Sequence, residues 1–202
     1  MSSSKYIAYL QTFSKKPLFT SAEAKKKGIP PRMLAYFCKR ELIERLDRGM
    51  YRVKGAKITI DFEWEDLVLT ALTIPRGVIC LISALCYYNM TDQIMREFWI
   101  AIPHSSKAPQ RPNTRIIRMR NISLGQTEIH IGESTLKIFD RERTVVDSFR
   151  YLSKEVAIKA LQNYLRSTKQ TKPDIKKLMA YAKILHVNLE PYILTLTSCP
   201  LH

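Results

Sequence analysis

The stretch LFTSAEAKKKGIPPRMLAYFCKRELIERLDRGMYRV, residues 18–53, decides how this chain is read. Thr20-Ser21-Ala22-Glu23 has the spacing of a capping box. The Thr20 hydroxyl accepts from the Glu23 backbone N–H, and the Glu23 carboxylate accepts from the N–H of Thr20. Ala22, Ala24 and three lysines favour helix. Lys25, Lys26 and Lys27 fall in the last turn, where cations suit the dipole, and Gly28 suits the position just past the end. The spacing predicts a short helix over 21–27. A second helix starts at Pro30-Pro31, since a first-turn N–H has no helical acceptor in any case. On a helical wheel Met33, Leu34, Phe37, Cys38 and Glu41 share one half, and Arg32, Ala35, Tyr36 and Lys39 the other, with Arg40 on the border. Two runs then flank Asp47-Arg48-Gly49, which predicts a hairpin with Gly49 at positive φ. Ile43, Tyr51 and Val53 are expected to pack inward while Arg45, Arg48 and Arg52 project. Ahead of the block, an amphipathic helix over 5–13 offers Tyr6, Ile7, Tyr9, Leu10 and Phe13 for packing. Helix, glycine turn, helix and hairpin, in that order, make the layout of a winged helix-turn-helix.

Charge singles out the same region. The 202 residues carry a formal charge of +15. Residues 1–57 hold 14 Lys/Arg against 4 Asp/Glu, net +10, and the remainder holds 19 against 14, net +5. That asymmetry predicts a polyanion partner, because neutralised phosphates release counterions. A basic face on any one helix is also what a solvated surface looks like. It is the linked order of basic helix, small-residue turn and arginine-tipped hairpin that points to double-stranded DNA. Arg32, Tyr36 and Lys39 are then expected in the major groove, with Arg32 best suited to pair bidentately with guanine. Lys15, Lys16, Arg45, Arg48 and Arg52 are expected on phosphates or in the neighbouring minor groove. Lys25 and Lys26 are expected to act likewise, and Arg40 completes the set.

The wing ends near 54–60, which predicts a DNA-binding domain over 1–57 and a larger α+β domain over 58–202. In the second domain, Asp61, Glu63, Glu65 and Asp66 read as the acidic first turn of a helix that stops by Pro75. The apolar run 78–88 is a buried helix or a strand leading into one, with a helix over 83–88 favoured. Strands are expected over 97–102 and 114–119, and over 127–131 and 135–139 as a hairpin around Gly132-Glu133-Ser134. Helices are expected over 144–152, 154–166 and 173–185, the last with Pro173 at its first position, and around 189–196. The fold class is therefore α+β, a winged helix-turn-helix followed by a small sheet and C-terminal helices.

No secretory signal is expected, because the first 20 residues lack an apolar core. The longest apolar stretch, 78–85, is too short to span a bilayer, so a cytoplasmic protein with no membrane partner is expected. Cys38, Cys80, Cys86 and Cys199 form no CxxC pair, and His104, His130, His186 and His202 are scattered. No metal site and no cofactor are expected, and Cys38, Cys80 and Cys86 read as small buried hydrophobes. No Ser-His-Asp arrangement, GxGxxG or P-loop is present. A non-enzymatic regulator with no catalytic residue is therefore the leading reading. The alternative enzyme is a metal-dependent nuclease built on the acidic cluster at 61–66, although carboxylates in one helical turn read first as helix-start electrostatics. An RNA-binding adaptor is a third reading. It would use the arginines of 114–120, of which Arg118 and Arg120 alternate onto one strand face and Arg115 onto the other.

Several segments together resemble the AbiEi antitoxin family, regulators of viral defence. They are the N-terminal block, LISALCYYNMTD at 81–92, FWIAIP at 98–103, RERTVVDSFR at 141–150, KLMAYAK at 177–183 and Pro191-Tyr192-Ile193. The family usually carries glycine after the SAL helix, where this chain has Asn89. The resemblance implies a repressor that binds inverted repeats in its own promoter, an arrangement that allows a homodimer on DNA. It also implies a second domain that counteracts a nucleotidyltransferase-like toxin without requiring a stable complex, in an abortive-infection operon for phage defence. A stand-alone DNA-binding regulator is the alternative. Within ERTVVD, Arg143, Thr144 and Asp147 form the motif of the antitoxin domain. Arg143 with Asp147 is an i,i+4 pair, and Asp140 or Thr144 is placed to cap the helix, so the residues favour a structural role over direct antitoxin action.

Overall fold

Phe13 and Phe19 stack with centroids 4.4 Å apart, and Phe19 stacks in turn on Tyr51 at 5.8 Å. These rings sit at the centre of the N-terminal core, with Leu10, Ala24, Ile29, Leu34, Phe37 and Ile43 buried around them. The computed structural model describes residues 3–56, 62–74, 76–132, 134–166 and 172–198. Their contacts define two units, one of residues 1–75 with 129–136, the other of 76–128 with 137–202. The expected boundary at 57/58 lies outside the described residues, as do Asp61, Pro75, Glu133, Cys199 and His202.

The first unit begins with α1 (Ser3–Gln11), β1 (Phe19–Thr20), α2 (Ser21–Lys26) and α3 (Pro31–Lys39). The hairpin β2 (Ile43–Asp47) and β3 (Met50–Val53) follows, then α4 (Phe62–Thr73). On α1, Tyr6 and Tyr9 lie against the core beside Leu10, but Ile7 is 39% exposed, contrary to expectation. It sits on the edge of the stripe that Tyr6, Tyr9 and Leu10 form. Helix α2 carries the expected capping box. Glu23 N–H donates to Thr20 Oγ1 at 3.1 Å, and Thr20 N–H donates to Glu23 Oε2 at 2.8 Å. Partial burial alone would raise the Glu23 carboxyl, but the hydrogen bonds from Lys16 and Thr20 outweigh it and hold the group below its ordinary value. The resulting stabilisation is full above the ordinary carboxylate value and fades as the pH falls through the lowered one. Replacing Thr20 with alanine is expected to cost about 1 kcal/mol. The check is a lower urea midpoint at unchanged slope.

Gly28 closes α2 at φ +82°, and α3 opens at Pro31. Its buried and half-buried side chains, Met33, Leu34, Phe37 and Cys38, are those expected. Glu41 is not on that stripe. Its φ of +57° ends the helix, and its side chain is exposed 3.5 Å from Lys54. The hairpin turns through Arg48-Gly49, with Gly49 at φ +74° and a bulge between Arg45 and Asp47. No periodicity in the sequence predicts β1, which pairs antiparallel with β3 through Phe19↔Tyr51 and Thr20↔Met50, giving a three-stranded sheet β1-β3-β2.

The second sheet contains β4 (Val78–Ile79), β5 (Phe98–Pro103), β6 (Thr114–Met119), β7 (Gln126–Ile131) and β8 (Ser134–Phe139), in the order β6-β5-β4-β8-β7. β5 runs parallel to β6 and antiparallel to β4, and β4 runs parallel to β8. The apolar run at 78–88 resolves as strand β4 leading into α5 (Leu81–Tyr87), a helix that starts two residues earlier than favoured. Asn89, where a glycine is usual in the resembled family, has φ +54°. Asparagine is among the few side chains that enter the left-handed region at modest cost. Helices α6 (Arg141–Tyr151), α7 (Lys154–Leu165), α8 (Ile175–Ile184) and α9 (Glu190–Ser198) follow. Asp174, not Pro173, starts α8, because its carboxylate caps Lys177 N–H at 2.9 Å. Cys80 is buried, and burial pushes its thiol well up, whereas Cys38 and Cys86 are only half-buried. Among the described residues no helix is long and apolar enough to cross a membrane.

Candidate nucleic-acid interface

The face of α3 turned away from the core carries Arg32, Ala35, Tyr36, Lys39 and Arg40, all exposed. Tyr36 is 37% exposed, and its hydroxyl accepts from Arg40 Nε at 3.2 Å while the Arg40 guanidinium lies 5.7 Å from its ring centroid. That i,i+4 pair fixes the tyrosine on the helix surface, a link the wheel did not reveal. Arg32 and Lys39 stand to either side of it along the helix. Lys25 and Lys26 are exposed on α2, and Lys15 is exposed in the preceding turn.

Three other cations expected on phosphate have partners in the fold. Lys16 lies 2.9 Å from Glu23, the same carboxylate that serves the capping box. Arg45 is exposed and donates from Nε to the Asp47 carbonyl at 3.2 Å across the bulge. Arg52 is only half-exposed. It lies 2.6 Å from Glu65 on α4 and 3.5 Å from Glu44 on the neighbouring strand, so its guanidinium bridges hairpin and helix and does not project. Arg48, at the tip, is exposed. The hairpin is tied to the helix pair where Ser21 N–H donates to Gly49 O at 2.8 Å.

Residues 8–54 match the family described as transcriptional regulator, AbiEi antitoxin. The resemblance to AbiEi antitoxins read from the sequence holds over this segment, which runs from the middle of α1 to the end of the hairpin. Comparison with curated proteins finds no match.

The other sequence motif lies beyond the AbiEi match, in the second unit. Helix α6 reads RERTVVDS, yet Glu142 to Ser148 are buried without exception. Polar groups in such a place need partners. Arg143, 1% exposed, donates from Nε to Asp147 Oδ2 at 2.7 Å and from Nη1 to the carbonyls of Asn121 and Leu124, each at 2.9 Å. Its guanidinium lies 4.6 Å from the Phe139 ring centroid. Asp147 Oδ1 accepts from Arg150 at 2.7 Å, and Thr144 donates to the Phe139 carbonyl at 3.2 Å. Asp140 is the cap, accepting from Arg143 N–H at 2.8 Å.

The outer end of the same helix is bound to α7 and α8. Glu142 accepts from Tyr164 at 2.8 Å and faces Lys177 at 3.1 Å, while Lys177 also lies 3.0 Å from Asp140. Burial disfavours the Lys177 charge, but the two carboxylates overcome it and raise its ammonium above the ordinary lysine value. Burial and the Glu142 hydrogen bond push the Tyr164 hydroxyl up as well. Gly125 runs close beneath Arg143, where a Cβ would come within 2.6 Å of the arginine Cβ. Two further residues of the resembled segments have fold contacts. Ser83 Oγ accepts from Trp99 N–H at 2.8 Å, and Tyr88 donates to the Phe139 carbonyl at 3.0 Å.

Of the acidic cluster, Glu65 is joined to Arg52 and Asp66 is exposed. Arg115 separates from Arg118 as expected, stacking on Trp99 at 4.4 Å.

Proposed function

We propose that residues 1–57 form a winged helix-turn-helix that binds double-stranded DNA, with α3 in the major groove and the β2–β3 hairpin as the wing. The chain is then a non-enzymatic, cytoplasmic repressor and antitoxin of a toxin–antitoxin operon. It binds inverted repeats in its promoter as a homodimer, and residues 58–202 counteract a nucleotidyltransferase-like toxin. The observation that carries this reading is the coincidence of the family match at 8–54 with a solvent-facing Arg32–Tyr36–Lys39 surface on the second helix of the pair. The arginines and lysines there have the chemistry to read guanine edges and to neutralise phosphate.

The partners seen in the fold refine the roles of individual cations. Lys15, Lys25, Lys26 and Arg48 are the phosphate contacts of this reading. Arg45 and Lys16 join them only by leaving or sharing their present partners. Arg52 acts as a brace for the wing through Glu65 and Glu44. Arg143, Thr144 and Asp147 serve the antitoxin domain by fixing the position of α6.

Quantitative binding to the chain's own promoter fragment and to a scrambled duplex, over a range of salt, tests the DNA assignment. A preference for the promoter supports it, and equal affinity for both duplexes removes the repressor role. Replacing Arg48 with alanine is expected to weaken binding to both duplexes alike and to lower the salt slope by about one. Antitoxin action is tested by co-expression with the product of the neighbouring reading frame, which this reading expects to be a nucleotidyltransferase. Rescue of growth is the expected result, and unrelieved toxicity rejects it.

A further inference from the structure

A cavity of about 400 Å³ in the second unit is lined by arginines and histidines and, among the described residues, by no carboxylate. Arg118 and Arg120 reach it from the end of β6, Arg150 from the end of α6, His104 from beyond β5 and His186 from the turn after α8. Tyr151 and Ile184, both exposed, supply an aromatic and an aliphatic wall. Its size lies within the roughly 300–1,000 Å³ common for small-molecule sites.

The arginines differ in how they are held. Arg150 is fixed by Asp147 at 2.7 Å and lies 5.0 Å from the Tyr151 ring centroid. Arg118 has a hydrogen bond from Nε to the Ser106 carbonyl at 3.4 Å, and neither it nor the exposed Arg120 forms an ion pair among the described residues. Arg115, on the opposite face of the same strand, is different. It lies over Trp99 with Glu97 at 4.0 Å, as expected of an arginine that serves the fold alone. Arg143 borders the cavity, but its hydrogen bonds run inward to Asp147 and two carbonyls. Like charges gathered around one concavity repel unless an anion enters, and guanidinium groups match phosphate oxygens bidentately.

We propose that this cavity binds a nucleoside polyphosphate, its phosphates on Arg118 and Arg120 and its nucleoside beside Tyr151 and Ile184. The site uses no residue of the N-terminal unit, so it is independent of the DNA reading. Calorimetric titration of the full chain with each of the four ribonucleoside triphosphates and with inorganic pyrophosphate tests it. Saturable binding of at least one triphosphate, one per chain, is expected. The double variant Arg118→Gln/Arg120→Gln is expected to weaken it by at least about tenfold, since two charge-assisted contacts are lost. An unchanged melting midpoint would show that this variant, altered only at exposed positions, is folded. Arg32→Ala/Lys39→Ala is expected to leave nucleotide affinity unchanged, which separates this site from the DNA-binding surface. The proposal is overturned by no saturable binding at millimolar triphosphate, or by binding that survives the Arg118/Arg120 change. Loss on the Arg32/Lys39 change overturns it as well. Pyrophosphate binding as tightly as every triphosphate overturns the nucleoside assignment, and so does capture of a short RNA at Arg118 and Arg120 with no triphosphate bound.

Discussion

Replacement of Arg143 by methionine is expected to destabilise the second unit by about 3–5 kcal/mol, the range for removing one partner of a buried ion pair. Both Arg143 and Asp147 are 1% exposed, so the carboxylate left behind has no water to turn to. Arg150 still reaches its other oxygen at 2.7 Å, which places the expected loss toward the lower end. The carbonyls of Asn121 and Leu124 lose a charged donor at the same time. Lysine is not expected to rescue, because one ammonium cannot span a carboxylate and two carbonyls in the fork geometry of a guanidinium. Urea unfolding of the full chain in a Trp64→Phe background, which leaves Trp99 as the single fluorescent reporter in the second unit, reads the change. A double variant, Arg143→Met/Asp147→Leu, is expected to regain part of the loss, since a charge-free pair removes the orphaned anion. A single-variant loss below about 1 kcal/mol, the scale of an exposed pair, would mean that the network does not hold α6.

The second large effect concerns DNA. Replacement of Arg32 by alanine is expected to remove about 1–3 kcal/mol of discrimination between the promoter and a scrambled duplex. Affinity for the scrambled duplex is expected to fall far less. Arg32 is exposed at the first turn of α3, where the core does not depend on it, so the melting temperature is expected to hold. Lysine at this position would retain the charge and lose the bidentate geometry, and is expected to recover the salt dependence without the discrimination. An unchanged footprint on the promoter would show that α3 is not the element that reads sequence.

The first of these effects could not be read from the chain, and the second largely could. Helix α3 announces itself through local chemistry: a proline at its start, an apolar stripe at helical spacing and a cationic face opposite. Helix α2 does so through a capping box contained in four residues. The hairpin turn is local too, with Gly49 where a positive φ is needed. The strand β1 has no such signal. Two residues become a strand only because Phe19 meets Tyr51 and Thr20 meets Met50, thirty residues away in the chain. The same limit applies to RERTVVDS. An i,i+4 pair between Arg143 and Asp147 is visible on a wheel, but the partners of its buried segment, carbonyls at 121 and 124 and Tyr164 and Lys177 from two later helices, are not. Arg52 shows the error this produces. Strand alternation makes it project, yet Glu65, beyond the hairpin, draws it in. The cationic cavity was half visible, in the alternation of Arg118 and Arg120. Their meeting with Arg150 and His186 is a matter of tertiary folding alone.

The strand β1, only two residues long, has a consequence for the thermodynamics of DNA binding. A hairpin held solely by its own turn would sample many orientations in the free protein, and binding would have to freeze them at an entropic penalty. Here Phe19 and Thr20 stitch β3 to the start of α2, the Gly49 carbonyl receives Ser21 N–H, and Arg52 on the central strand β3 joins Glu44 of β2 and Glu65 of α4. Under the proposed DNA-binding reading, helix and hairpin would therefore meet a duplex as a single preformed clamp. Its association should carry little of the heat-capacity signature of coupled folding, and its affinity should reside in contacts rather than be diminished by ordering.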